Sequence, residues 1–142
     1  MTEVFLDTSF AIALTVSTDR YHETAVRLAH ELRSSRAILV TTHAILAEIG
    51  DSFSRPPYRA AAAQLLRGLQ HDSGVLVLPV DSELFSRGYE LFIGRPDKTW
   101  GLTDCISFAV MQQRRIRDAL TADQHFEQAG FAALLRGPSH RS

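Results

Sequence analysis

The chain has 142 residues, 45% of them apolar and 22% charged, with a formal net charge of −1. That is the length of one ordinary domain with enough apolar side chains for a core, and balanced charge with this much apolar content argues against intrinsic disorder. No apolar run approaches the roughly 18 to 20 residues of a membrane span, and the lone Cys105 can form neither an internal disulfide nor a thiolate zinc cluster.

The opening MTEVFLDTSF carries Glu3 and no basic segment, unlike a secretory leader, so a cytoplasmic protein is expected. Val4-Phe5-Leu6 reads as a short strand. His22–Arg33 has helical apolar spacing, with Thr18 or Asp19 as its cap. Ala37–Val40 reads as a buried strand. Thr42–Phe53 reads as a helix that stops before Pro56-Pro57, and Arg59–Leu69 as an Ala- and Leu-rich helix. Val75–Val80 is the clearest strand. Ser82–Ile93 is helical, followed by a turn at Gly94–Asp97. Leu102–Arg114 is helical with Thr103 as its N-cap. Asp118–Thr121 reads as a short strand, Gln124–Ala129 as a short helix, and Phe131–Leu135 as a last edge strand. No repeat, low-complexity stretch or linker divides the chain, so residues 1–142 are expected to form a single domain.

Strands alternating with helices imply βαβ units and a parallel sheet. Ligands of such sheets bind beyond the carboxyl ends of the strands, which directs attention to Asp7, Thr41-Thr42, Asp81 and Asp123. Asp7 directly follows three apolar residues, and Asp123 follows Ala119-Leu120-Thr121-Ala122. Glu48 lies within an apolar helix, where an unpartnered carboxylate is costly. Asp104 opens the helix that continues through Cys105 and Ile106. Each acid alone has an ordinary reading: a helix cap for Asp7 and Asp123, a solvated face for Glu48, a dipole-favoured first turn for Asp104. Gathered at one sheet edge, they would repel one another unless a cation sat among them. A hard divalent cation with oxygen ligands resolves that conflict, and it suits hydrolysis of a phosphate ester.

The six histidines (His22, His30, His43, His71, His125, His140) are scattered and form no zinc motif. His125 stands out because it lies two residues after Asp123. Cys105 reads as a small core residue, and Trp100 either stacks on a base or staples a loop to the core. Of the 15 basic residues only Lys98 is lysine. With a near-neutral total, any grip on nucleic acid must come from a local patch. Arg95 and Lys98, just before Trp100, are candidates for phosphate contacts. Asp97 reads as a turn residue or as an additional acid near the site.

These residues resemble a known family. Leu6-Asp7-Thr8-Ser9, the helix-borne Glu48, Asp97–Ser107 (DKTWGLTDCIS) and Ala119–Phe126 (ALTADQHF) are similar to PIN domains, and within them to the VapC-type toxins of toxin–antitoxin systems. The resemblance spans Asp7 to Gly130. It implies a three-layer α/β/α fold with a mainly parallel sheet of four or five strands. It further implies an endoribonuclease dependent on Mg²⁺ or Mn²⁺, acting through an activated water. The family's acidic quartet falls on Asp7, Glu48, Asp104 and Asp123. Asp7 and Asp104 would be direct metal ligands; Glu48 and Asp123 would complete the site through water or hold a second metal. Ser9 and Thr103 would support those ligands. RNA substrate, a cognate antitoxin and a homodimer are the implied partners, with no membrane. The antitoxin would seat a helix on the apolar faces of His22–Arg33 and Thr42–Phe53.

Two other readings compete. A PIN-type nuclease of RNA processing, without a toxin role, would carry the same acids. A regulatory or phosphotransfer α/β module would also place acids at strand ends. It would want a second Asp two residues after the first, where this chain has Ser9, or a lysine after a late strand, whereas Lys98 lies in a turn.

Overall fold

The computed structural model of the chain describes residues 2–137; His140 lies outside them. The order is β1 (Glu3–Leu6), α1 (Thr8–Thr15), α2 (His22–Ser34), β2 (Ile38–Thr42), α3 (His43–Ser52), α4 (Pro56–His71), β3 (Val75–Leu78), α5 (Ser82–Gly94), α6 (Leu102–Arg114), β4 (Asp118–Leu120), α7 (Gln124–Gln128) and β5 (Ala132–Ala133). The five strands form one sheet in the order β3-β2-β1-β4-β5, and every pairing is parallel. Right-handed crossovers then put α1–α4 on one face and α5–α7 on the other. The packing agrees: α1 meets α2 and α3, α3 meets α4, and α6 meets both α5 and α7. This is the expected three-layer α/β/α architecture.

The central strands are buried on both faces, as a covered parallel sheet requires. Val4, Phe5, Leu6, Val40, Ala119 and Leu120 are all buried. Helix α6 is the most enclosed helix, with every residue from Cys105 to Met111 buried. Its Phe108 meets Trp100 and Phe126 edge-on, at centroid distances of 5.1 and 5.0 Å. Gly88 lets α5 approach closely: a Cβ there would lie 2.6 Å from Ile106 Cγ1.

The structure corrects several local expectations. Thr103 is not the cap of α6; Gly101 occupies that position, and the Asp104 carboxylate reaches back to accept from its N–H at 3.1 Å. Tyr21, not Thr18 or Asp19, precedes α2, and Asp19 instead accepts from the Tyr21 N–H. Helix α4 begins at Pro56, since proline is tolerated in a first turn. The last strand shrinks to Ala132–Ala133, because the chain tightens into a 3₁₀ turn at Leu134–Arg136.

Candidate active site at the carboxyl ends of β1 and β4

The sheet order reverses at β1, which has β2 on one side and β4 on the other. A crevice forms where such neighbouring strands send their connections to opposite faces. Asp7 follows β1, Asp123 lies just beyond β4, and Asp104 sits in the first turn of α6.

Asp7 occupies the N-cap position of α1, yet its side chain makes no capping bond. The carboxylate turns toward β4 instead. Asp7 Oδ2 accepts from Thr121 Oγ1 at 2.7 Å and from Ser9 Oγ at 3.2 Å. The residue is only 7% exposed. Burial, with a contribution from the charge of Asp104, pushes its pKa up from 3.8 to about 6 despite those hydrogen bonds. Ser9 also receives the Ala122 N–H at 2.9 Å, which pins the β4 exit to the β1 exit.

Asp104, Asp123 and His125 converge, with one ligand atom from each lying within 4.8 Å of the others. His125 Nδ1 is 3.0 Å from Asp104 Oδ2 and 3.4 Å from Asp123 Oδ1. Its Nε2 is 3.2 Å from Thr99 Oγ1. Asp123 also caps α7, accepting from the His125 N–H at 2.8 Å. The capping and site readings of Asp123 are therefore compatible.

Glu48 is half-buried on α3 and is tied to this edge by Thr8, whose hydroxyl donates to Glu48 Oε1 at 2.7 Å. Among the described residues no hydrogen bond joins Thr103 to the acids. Asp97 does not enter the cluster. It pairs with Arg95 through two hydrogen bonds of 3.0 and 2.9 Å, which hold its carboxyl below the usual range. Arg95 and Lys98 both lie near the Trp100 ring, at 5.3 and 6.0 Å from its centroid. Trp100 itself is a staple: it is buried, and its Nε1–H donates to Gln128 on α7 at 3.0 Å.

Sequence reasoning missed Thr8, Thr121 and the links made by His125. Thr8 and Thr121 flank the acids at the two strand exits, and hydroxyls at such positions are natural donors to a carboxylate. Beside the α2 face expected to seat a partner helix there is an apolar cavity. It measures about 430 Å³ and is lined by Phe10 and Leu14 of α1, Ala29 and Leu32 of α2, and Leu65 and Leu69 of α4. Helix α3 instead spends its apolar face, Ile45, Leu46 and Ile49, in the core.

The donor set suits a divalent cation. Asp104 and Asp123 bring their oxygens together at this edge, and beside them burial, with a smaller contribution from the Asp104 charge, disfavours the ionised form of Asp7.

A parallel α/β/α sandwich with acids gathered at this switch point is the architecture of a PIN domain. A family model for the PIN domain matches residues 4–132, and the chain belongs to that family. The chain is 31% identical over 132 residues to the 23S rRNA-specific endonuclease VapC20 of Mycobacterium tuberculosis strains H37Rv and CDC 1551, covering 92% of this chain and 97% of the relative. The crystal structure of M. tuberculosis VapC20, described as a sarcin–ricin loop cleaving toxin, superimposes with a TM-score of 0.81 at 28% identity. It covers 92% of this chain and 98% of that one.

Proposed function

We propose that this protein is a divalent-metal-dependent endoribonuclease and the toxin of a toxin–antitoxin pair. The observation that carries the reading is the junction of β1 and β4, where Asp104 and Asp123 come within ligand distance of each other, Asp7 is joined to the Asp123 backbone through Thr121, and Thr8 holds Glu48 nearby. Likeness to VapC20 along nearly the whole chain supports the reaction class and makes 23S rRNA the first substrate to try.

Asp7, Asp104 and Asp123 would hold the cation, with Glu48 completing the site from α3. A bound Mg²⁺ or Mn²⁺ would supply a Lewis acid, neutralising phosphate charge and making a water more acidic. The protein's own part is to aim the carboxylates. Thr121 and Ser9 donate to Asp7, Gly101 N–H donates to Asp104, and Thr8 donates to Glu48. Hard oxygen ligands accept either ion. Arg95 and Lys98 would meet the RNA backbone beside the site. The antitoxin would dock in the apolar groove of α1, α2 and α4. Phe85, Tyr89 and Phe92, exposed along α5, suit a second copy of the chain. No helix among the described residues is long and apolar enough to cross a membrane.

The test is cleavage of total RNA and of purified ribosomes with Mg²⁺, Mn²⁺ or EDTA, beside Asp7→Asn. Discrete fragments that need metal and vanish in the variant support the reading. Intact RNA under every condition, with folded and antitoxin-free protein, overturns it.

A further inference from the structure

We propose that His125 is a positioning residue that aims the Asp104 carboxylate and is itself held in place by Thr99. The proposal rests on the nuclease reading above and adds to its four acids.

His125 faces different partners on its two nitrogens. On one side Nδ1 lies 3.0 Å from Asp104 Oδ2; on the other, Nε2 lies 3.2 Å from Thr99 Oγ1. A carboxylate only accepts, so this network assigns the proton to Nδ1. In the neutral ring Nε2 is then an acceptor, and the Thr99 hydroxyl donates to it. Thr99–His125–Asp104 forms a directed chain of hydrogen bonds from the loop before α6 to the acid in its first turn.

The surroundings fix this chain from both ends. The loop is anchored by buried Trp100, which packs edge-on against Phe108 and donates to Gln128 on α7. Helix α7 carries His125 and is held by Phe126, which is fully buried. Asp104 Oδ2 also receives the Gly101 N–H at 3.1 Å. Two donors thus meet the same oxygen, Asp104 Oδ2, and fix the orientation of the carboxylate. Partners of this kind orient ligating carboxylates, and their loss typically costs about ten- to a hundredfold in metal affinity or activity. Both ring nitrogens are engaged here, Nδ1 by Asp104 and Nε2 by Thr99, so His125 supports the acids and leaves the cation to them, although its ring lies within ligand distance of Asp104 and Asp123.

The variants separate these roles by atom. Asparagine places an N–H where Nδ1 stands, whereas glutamine places one where Nε2 stands. Titrating Mn²⁺ alone into the purified protein by calorimetry, His125→Ala and His125→Gln should weaken binding by about ten- to a hundredfold. His125→Asn should stay near wild type. Thr99→Val, which leaves the ring in place, should weaken binding less than His125→Ala does. With ribosomal RNA, kcat should fall in His125→Ala while KM holds. The Mn²⁺ electron-spin-echo spectrum should contain no directly coordinated ¹⁴N. Wild-type Mn²⁺ affinity in a folded His125→Ala protein, or a ¹⁴N coupling that disappears in it, overturns the proposal. Asp104→Asn separates the two failures: cleavage by that variant at the wild-type rate would remove Asp104 from the site and overturn the proposal, whereas intact RNA with the wild-type protein would refute the nuclease reading itself.

Discussion

Thr121 Oγ1 donates to Asp7 Oδ2 at 2.7 Å and accepts from the Asp123 N–H at 3.0 Å. One buried hydroxyl beyond β4 thus holds the first acid of the site and the backbone of the last. Thr121→Val keeps the shape and removes both bonds. A hydrogen bond to a charged group contributes about 1.5–3 kcal/mol, so a loss of about 2 kcal/mol is expected in urea denaturation at pH 7.5. The Thr121 bond also lowers the Asp7 pKa, so in the variant that pKa should climb beyond about 6. Unchanged stability together with an unchanged Asp7 titration would refute the assignment.

Asp7 sets a pH dependence whose sign is unusual for an acid. Its pKa in the folded protein is raised from 3.8 to about 6, chiefly by burial. The folded state therefore binds this proton more tightly than the unfolded chain does. The resulting stabilisation is complete below about pH 4 and is lost as the pH rises through about 6. A shift of about two units at 1.36 kcal/mol each makes ionised Asp7 a burden of about 3 kcal/mol in metal-free protein at pH 7.5. Asp7→Asn should then be the more stable protein at pH 7.5 in EDTA, by up to about that amount. The advantage should shrink toward pH 4. Thermal melts across that range decide it, and a pH-independent difference would count against burial as the cause.

The sequence carried the parts of this site that depend on chain position. Asp7, Asp104 and Asp123 are legible because strand exits and helix entries can be read from apolar periodicity, and a parallel sheet gathers them at one edge. Glu48 is legible as a carboxylate in an apolar helix. What escaped depends on packing across long separations. Thr121 meets Asp7 from 114 residues away, and His125 meets Asp104 from 21. Nothing in a hydroxyl or an imidazole announces which carboxylate it will face. Thr103 was a reasonable cap by type, but Gly101 takes that position because Asp104 supplies the bond from within the helix. Which apolar helix face is covered is likewise decided by topology: α3 turns Ile45, Leu46 and Ile49 into the core.

Two glycines should respond in opposite directions to the same substitution. At Gly88 an added Cβ would lie 2.6 Å from Ile106 Cγ1 and 3.0 Å from the Ile106 backbone. Overpacking of this kind costs about 1–3 kcal/mol, more than the roughly 1 kcal/mol of helix propensity that alanine returns. Gly88→Ala should therefore lower the melting temperature. At Gly68 on α4 an added Cβ would meet nothing within 4 Å. Gly68→Ala should raise the melting temperature, by about 0.5–1 kcal/mol in stability. A stabilised Gly88→Ala protein would mean that α5 and α6 are not held at this separation.

The loop before α6 makes its own prediction about RNA. Arg95 and Lys98 both lie beside the Trp100 ring, but Arg95 is engaged by Asp97 through two hydrogen bonds. In the free protein, then, Lys98 is the cation of this pair that can meet a phosphate without first breaking that ion pair. Lys98→Gln should weaken RNA binding and lower the slope of log K against log salt by about 0.7–0.9. Arg95→Gln should have the smaller effect, because its guanidinium is already committed to Asp97. Asp97→Asn should act in the opposite direction, freeing Arg95 to reach the backbone and steepening the slope. Fluorescence anisotropy with labelled RNA at about 50 to 200 mM salt, on cleavage-dead Asp7→Asn protein, separates the three variants. A slope that ignores all three would place the RNA elsewhere on the surface.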